Sequence, residues 1–365
     1  MRIFEVLPNL LVGGGEKMVT ELSNELSIRG HECTIITLVD TEPDRYRYNI
    51  SPQVLIHSLH KKNGLDLGCM FRLANLIKKE RPDIVHVHLN AIVYIFIAAL
   101  FVRKTKYVAT IHSDAKYEAG RGIALLIRRI LFSLRFVHTV TISEESDSSY
   151  KKLYGSHADR MINNGVAYPS INNVVQEKYR KYKKDVDFLF IHVGSIQAVK
   201  NQLMLIEAFE RLLNNGVKAR LLMFGRVGHY GREIYQQIQS HISENIVYLG
   251  EQNEICSIMS VCDAFCLSSR LEGMPMSIIE AMSVGCIPIV TPVGGCVNMV
   301  HEGKNGFLSE RVSANSYCEA LERFVKLDET TRGCIKQAAI DSFMNNYFIG
   351  TVCDQYMNLF EKLVS

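Results

Sequence analysis

The chain has 365 residues, of which 47% are hydrophobic and 22% charged, and its formal charge is +3 at pH 7. This length exceeds what one growing core accommodates, so two domains are expected, and the composition excludes a disordered or low-complexity chain. So small a net charge gives no reason to expect a nucleic-acid partner.

The first apolar run, RIFEVL, reads as a short strand. The N-terminal stretch lacks the basic start, long apolar region and small-residue cleavage site of a secretory signal, so a cytoplasmic protein is expected. Gly13, Gly14 and Gly15 follow in a loop, after which Val19, Leu22 and Leu26 recur at helical spacing up to Gly30. Met18 and Val19 stand where the last glycine of a dinucleotide-binding fingerprint belongs, which argues against a dehydrogenase. CTIITLV, VLIHSL, DIVHVHL, YVATIH and HTVTIS then alternate with helical stretches, the pattern of a parallel sheet covered on both faces. A Rossmann-like domain is therefore expected over 1–166.

Within that domain the longest apolar run, 91–102, is too short to span a bilayer and reads as a buried helix. RGIALLIRRILFSLRF, 121–136, reads either as a membrane-interface helix or as a helix packed inside the domain with its arginines at the edge. Before Val166 there are 22 Lys and Arg against 17 Asp and Glu, and from there on 19 against 21. A basic first half suits an acidic membrane surface or a phosphorylated acceptor.

The alternation stops in a polar stretch read as a linker over 167–186 and restarts with FLFIHVGS, ARLLMFG, NIVYLG, DAFCLSS and CIPIVT, giving a second α/β domain over 187–345. The last segment, 346–365, carries Tyr347, Val352, Tyr356, Leu359 and Leu363 at roughly helical spacing and is expected as a helix crossing back to the first domain. The ten cysteines form no C-x-x-C pair, so reduced thiols and no zinc are expected. His86 and His88 share one face of a strand, yet two histidines without further ligands give no metal site.

Three segments carry chemistry. Gly14 and Gly15 open a helix, whose free amides and dipole favour an anion. Gly194 ends a strand and leads to Lys200 near a helix start, where a lysine neutralises a diphosphate. In SSRLEGMPMSIIEAMSVGCIPIVT, seven residues separate Glu272 from Glu280. Gly273 lets backbone amides approach a ligand, and Glu280, placed in the first turn of a helix, suits two ribose hydroxyls; a capping box of Ser277 with Glu280 would equally account for the latter.

This E-x7-E segment, followed by A-M-x-x-G-x-P-x-V, resembles the retaining glycosyltransferases of family 4. GGGEK, DIVHVH, ATIHS, INNGV, VGSIQAVKNQLMLIEAF and VYLG occur in that family's order along nearly the whole chain. The resemblance implies the GT-B fold, two Rossmann-like domains facing each other across a cleft. It also implies a metal-independent enzyme with no cofactor, moving a sugar from a nucleotide diphosphate donor, a UDP-sugar, to an acceptor hydroxyl. By the same resemblance Glu280 holds the donor ribose, and Glu272 with the backbone of Gly273, Met274, Pro275 and Met276 faces the donor sugar and diphosphate. Lys200 contacts the diphosphate, His112 stands beside the sugar, Gly14 and Gly15 lie near the phosphates or acceptor, and Gly250 with Glu251 binds the base.

Many members carry an arginine after the glycine matching Gly194; here it is Ser195, and Arg226 is the candidate replacement. The acceptor implied is a glycan or lipid-linked saccharide of polysaccharide assembly, with peripheral contact to the cytoplasmic face of the membrane. Two rival readings are a nucleotide-sugar epimerase of similar fold and a catalytically silent partner, the latter favoured by Ser195.

Overall fold

The structure, a computed structural model, describes residues 1–11, 13–40, 50–228 and 230–365. It divides into two units, Met1–Ala167 with Phe348–Ser365, and Tyr168–Tyr347.

The first unit holds a seven-stranded parallel sheet of β1 (Arg2–Leu7), β2 (Glu32–Thr37), β3 (Leu55–Ser58), β4 (Ile84–His88), β5 (Lys106–Ile111), β6 (His138–Thr141) and β7 (Arg160–Met161), in the order β3-β2-β1-β4-β5-β6-β7. Order reverses between β1 and β4, so the loops leaving their C-terminal ends open a crevice where ligands of open α/β sheets bind. All five residues of β4 are buried, as expected of a central parallel strand covered on both faces, and two of them are histidines. The helix Gly14–Ile28 buries Met18, Val19, Leu22 and Leu26 and ends at Gly30, whose φ of 81° favours glycine.

The second unit repeats the plan with β8 (Phe188–Val193), β9 (Ala219–Phe224), β10 (Ile246–Tyr248), β11 (Ala264–Leu267), β12 (Ile287–Val290) and β13 (Phe307–Leu308), in the order β10-β9-β8-β11-β12-β13. Its core is aromatic where helices meet the sheet: Phe190 lies edge-on to Phe209 and Phe324. The corresponding switch point lies between β8 and β11.

Several expectations need correction. The stretch expected as a linker contains the helix Asn173–Arg180, whose start is capped by the Asn172 side chain. That stretch is tied to the second unit: Asn172 N donates to Ser257 Oγ, Gln176 to Ser260 Oγ, and Tyr179 is buried. One amphipathic turn pair with few apolar residues offers too weak a period to be read. The run 91–102 is a 3-10 segment, Leu89–Ile95, joined to the short helix Phe96–Phe101. No helix among the described residues is long and apolar enough to cross a membrane.

The helix Ile123–Ser133 packs Ile127, Leu131 and Phe132 inward and leaves Ile123 and Leu126 exposed. Arg128 is not at an edge but fully buried, donating to Leu89 O at 3.0 Å. The last helix, Ile349–Val364, starts after Tyr347 and belongs to the first unit. It buries Val352, Tyr356 and Phe360, and Arg29 binds its Asp354 and Gly350 O.

Candidate active site

In the second unit, five loops at the C-terminal ends of the strands are linked to one another. Lys200 Nζ contacts Glu272 Oε1 at 2.6 Å, and Ser269 Oγ donates to the same oxygen at 2.5 Å. Ser268 Oγ donates to Lys200 O at 2.9 Å, and Arg270 N to Val199 O at 2.8 Å, so the loops after β8 and β11 form one body. The Lys200 and Glu272 side chains keep 23% and 10% exposure, a half-shielded ion pair whose cation is reachable by an anion.

Glycines let the neighbouring loops close on this pair. Gly294 has φ 50°, and a Cβ there would stand 1.8 Å from Glu272 O; at Gly295 it would stand 2.1 Å from Gly273 O, to which Gly295 N donates at 2.9 Å. Beyond β9, Gly225 has φ 144°, and a Cβ would fall 2.0 Å from Gly194 O. Gly225 N donates to Gly250 O, which brings Gly250 and the exposed Glu251 beside the same group. Ile196 N donates to Arg226 O, and the Arg226 guanidinium has no hydrogen-bond or ion-pair partner among the described residues.

Met274, Pro275 and Met276 are buried, so the turn offers backbone rather than side chains. The helix Met276–Ser283 begins at Met276 with Pro275 as N-cap and no side-chain cap. The capping box of Ser277 with Glu280 is therefore absent, because the helix starts one residue ahead of Ser277. Glu280 is the fifth helical residue, in the second turn rather than the first. Ile278 N donates to Pro275 O at 3.1 Å, which leaves the first-turn amides of Met276 and Ser277 as the kind that bind anions.

His192 in β8 was not singled out by the sequence. Its Nδ1 donates to Cys266 O at 2.9 Å, and burial holds its pKa down to about 4, so the ring is neutral with Nε2 as acceptor. That Nε2 is buried without a partner, 3.4 Å from where a Cβ on Gly194 would lie. A histidine within an apolar strand run was the one visible signal.

In the first unit, Gly14 and Gly15 form the first turn of the helix after β1. A Cβ on Gly15 would stand 3.6 Å from Cγ and Nδ1 of His112, so the glycine turn lies against that ring. His112 N donates to Glu118 Oε2 at 2.8 Å; burial raises this carboxyl to about 7, against Arg128 and the backbone bonds, which favour its charge. Behind His112, His88 Nδ1 lies 2.9 Å from His112 Nε2, His88 Nε2 lies 2.7 Å from Glu5 Oε2, and His86 Nδ1 is 3.0 Å from the same carboxylate oxygen. Glu5, an acid inside the apolar run RIFEVL, was also passed over by the sequence reading. Among the described residues, Glu5, His86 and His88 are the group whose ligand-type atoms lie within 4.8 Å of one another, yet these atoms already pair by hydrogen bonds.

The second unit matches the sequence model of the family described as Glycosyl transferases group 1 over residues 175–341, and the first matches Glycosyltransferase Family 4 over 12–167. The chain is a family 4 glycosyltransferase. An N-acetyl-alpha-D-glucosaminyl L-malate synthase of Bacillus anthracis is 23% identical over 372 residues, 96% of this chain and 94% of that protein. A UDP-Gal:alpha-D-GlcNAc-diphosphoundecaprenol alpha-1,3-galactosyltransferase of Escherichia coli is 27% identical, covering 82% of this chain and 80% of that one. Among solved structures, Anabaena HepE in complex with UDP-glucose superposes with a TM-score of 0.82 at 18% identity, covering 99% of this chain and 100% of that one. The glycosyltransferase thus has the GT-B fold, with a Rossmann-like sheet in each unit.

Proposed function

We propose that this glycosyltransferase moves a sugar from a UDP-sugar to a hydroxyl of a lipid-linked saccharide, with retention at the anomeric carbon and without a metal. The observation that carries the reading is the Lys200–Glu272 pair, fixed between loops from the adjacent strands β8 and β11. UDP-glucose in the HepE complex and the lipid diphosphate acceptor in the E. coli relative's name support the donor and acceptor classes.

In this reading Lys200 and the first-turn amides after Pro275 take up the diphosphate charge, and the unpaired Arg226 supplies the cation that Ser195 does not. Glu272 orients Lys200 and accepts from sugar hydroxyls; Glu280 accepts from the ribose hydroxyls. The backbone of Gly194 and of Gly273 to Met276 approaches the diphosphate, and Gly250 with Glu251 meets the base. In the first unit, Gly14 and Gly15 lie near phosphate or acceptor oxygens, and His112 reads a hydroxyl of the glycosyl group. The bond from the anomeric carbon to the diphosphate oxygen breaks as the acceptor oxygen bonds to the same face. The acceptor proton passes to the departing phosphate oxygen, so no protein carboxylate becomes glycosylated.

The test is transfer from UDP-sugars to an undecaprenyl-diphosphate GlcNAc analogue in the presence of EDTA, with the product's anomeric configuration read by NMR. An α-linked product from an α-linked donor, unaffected by EDTA, is expected; an inverted product or loss of turnover with the chelator contradicts the reading.

Ile123, Leu126 and Arg129, exposed at three-residue spacing along the helix Ile123–Ser133, give an apolar stripe ending in a cation, suited to the headgroup region of an anionic bilayer. Co-sedimentation with phosphatidylglycerol vesicles is expected for the wild type and lost in Ile123→Glu/Leu126→Glu. Equal binding of both proteins would contradict this placement.

A further inference from the structure

Glu5, His86, His88, Thr110 and Tyr356 are buried polar side chains of the first unit that the proposed chemistry does not use. They form one chain of hydrogen bonds. Tyr356 OH lies 3.0 Å from Thr110 Oγ1, Thr110 Oγ1 lies 2.7 Å from His86 Nε2, and both His86 Nδ1 and His88 Nε2 meet the Glu5 carboxylate. The far end is His112, whose Nε2 lies 2.9 Å from His88 Nδ1. β-Sheet register builds the cluster, since Glu5 pairs with His86 across β1 and β4, and His88 with Thr110 across β4 and β5.

Proton positions along this chain follow from its fixed end. Burial pushes the Glu5 carboxyl up, but the charge of His86 and the hydrogen bonds from His86 and His88 outweigh it and leave its pKa at about 2, so Glu5 is a carboxylate that only accepts. His88 Nε2 must then carry the hydrogen it donates to Glu5. Burial, with repulsion from His86, lowers His88 to about 4, so its ring is neutral and Nδ1 is its lone pair. His112 Nε2 must in turn be the donor to that lone pair. Burial, then the neighbouring His88 and His86, also hold His112 well below its ordinary value, leaving one hydrogen on the ring, at Nε2. The remaining nitrogen, Nδ1, is shielded from solvent, without a partner, and against Gly15. An enclosed, unpaired acceptor is costly, so its retention at the glycine turn points to a ligand donor.

We propose that Glu5 and His88 are positioning residues that hold His112 in its Nε2–H tautomer, so that its Nδ1 lone pair accepts a hydrogen bond from a hydroxyl of the bound glycosyl group. His112 then acts as a neutral acceptor that selects for a hydroxyl at that position, not as a proton-abstracting base. This rests on the reading of His112 as a substrate contact.

The test is long-range proton–nitrogen correlation NMR of the histidine rings in the full chain labelled with nitrogen-15, with UDP, UDP-glucose, UDP-galactose and UDP-N-acetylglucosamine as probes and thermal melting alongside. His112 is expected as a single neutral Nε2–H tautomer from pH 5.5 to 8. His88→Gln, whose amide can donate to Glu5 and accept from His112, retains that pattern, whereas Glu5→Gln and His88→Phe lose it and populate the Nδ1–H form. The UDP-sugar that raises the melting temperature most above UDP alone is expected to shift the Nδ1 resonance, and UDP alone to leave it in place. Should the buried variants fail to fold, the wild-type spectrum decides, since a hydrogen on Nδ1 overturns the proposal. A UDP-sugar that stabilises the protein yet leaves Nδ1 unmoved overturns this inference and leaves the proposed function standing. No stabilisation by any of the four probes overturns the proposed function itself, and the hydroxyl contact with it.

Discussion

At the scale of single residues, the site divides into groups that face a ligand and groups that hold them. In the proposed reading Lys200 and Glu272 belong to the first kind, and Lys200→Ala is then expected to lower kcat by about 10²–10³-fold, the usual effect of removing one donor to a developing anion. Steady-state transfer assays check this, and a change below about threefold would count against the assigned role. Gly294 belongs to the second kind. Gly294→Ala places a Cβ 1.8 Å from Glu272 O and must displace the 272–276 turn, whereas Gly303→Ala meets no atom within 4 Å and carries only the strain of a positive φ, roughly 1–2 kcal/mol. Calorimetric titration with UDP should show binding weakened by Gly294→Ala and preserved in Gly303→Ala; equal affinities would mean that the turn is not shaped by this contact. Lys200 and Glu272 were legible because each follows a strand-like run and precedes a helical one. Gly294 and Gly295 were equally visible as letters, but a glycine doublet does not reveal which carbonyl it must admit. His192 and Glu5 were hidden inside apolar runs, where a polar residue has meaning only once its cross-strand neighbours are known.

At the scale of elements, the sheets explain what could be read. Strands of four to six residues buried on both faces leave continuous β-branched runs, while β7 and β13, two residues each, leave no period at all. The helix Asn173–Arg180 was missed because its exposed face is charged and only Tyr179 is buried. The start of Met276–Ser283 was misplaced because the N-cap is Pro275, two residues ahead of the serine that carries the capping signal.

The central strands β1 and β4 also bring a pH dependence. His88 is lowered from 6.5 to about 4 by burial and then His86, with Glu5 opposing; between those values the unfolded chain binds more protons, so stability falls as pH drops through that window. Glu5, lowered from 4.5 to about 2, adds a loss of the same sign at lower pH, while Glu118, raised to about 7, acts oppositely between 4.5 and 7. Melting temperatures from pH 6.5 to 4 should therefore decline less steeply in His88→Gln than in the wild type, by the equivalent of up to about 3 kcal/mol. Parallel curves would show that His88 is not held neutral by the fold.

At the scale of the molecule, each unit pairs a Rossmann-like sheet with candidate loops at its switch point: a glycine turn against His112 in one, and the Lys200–Glu272 body in the other. The order of motifs along the chain made this duplication readable, since each strand–loop–helix passage carries its own signature. In the proposed reading Ser195 removes one cation, and Lys200 and Arg226 are the cations left to meet the diphosphate. The most direct measurement is thermal melting of the purified protein with UDP-, GDP- and TDP-sugars, beside Lys200→Ala. A donor at a hundred times its Kd stabilises the folded state by about 2.7 kcal/mol, so a concentration-dependent rise with UDP-sugars, abolished by Lys200→Ala, is predicted. A folded wild-type protein whose melting temperature no nucleotide sugar raises would contradict the account and favour a catalytically silent partner.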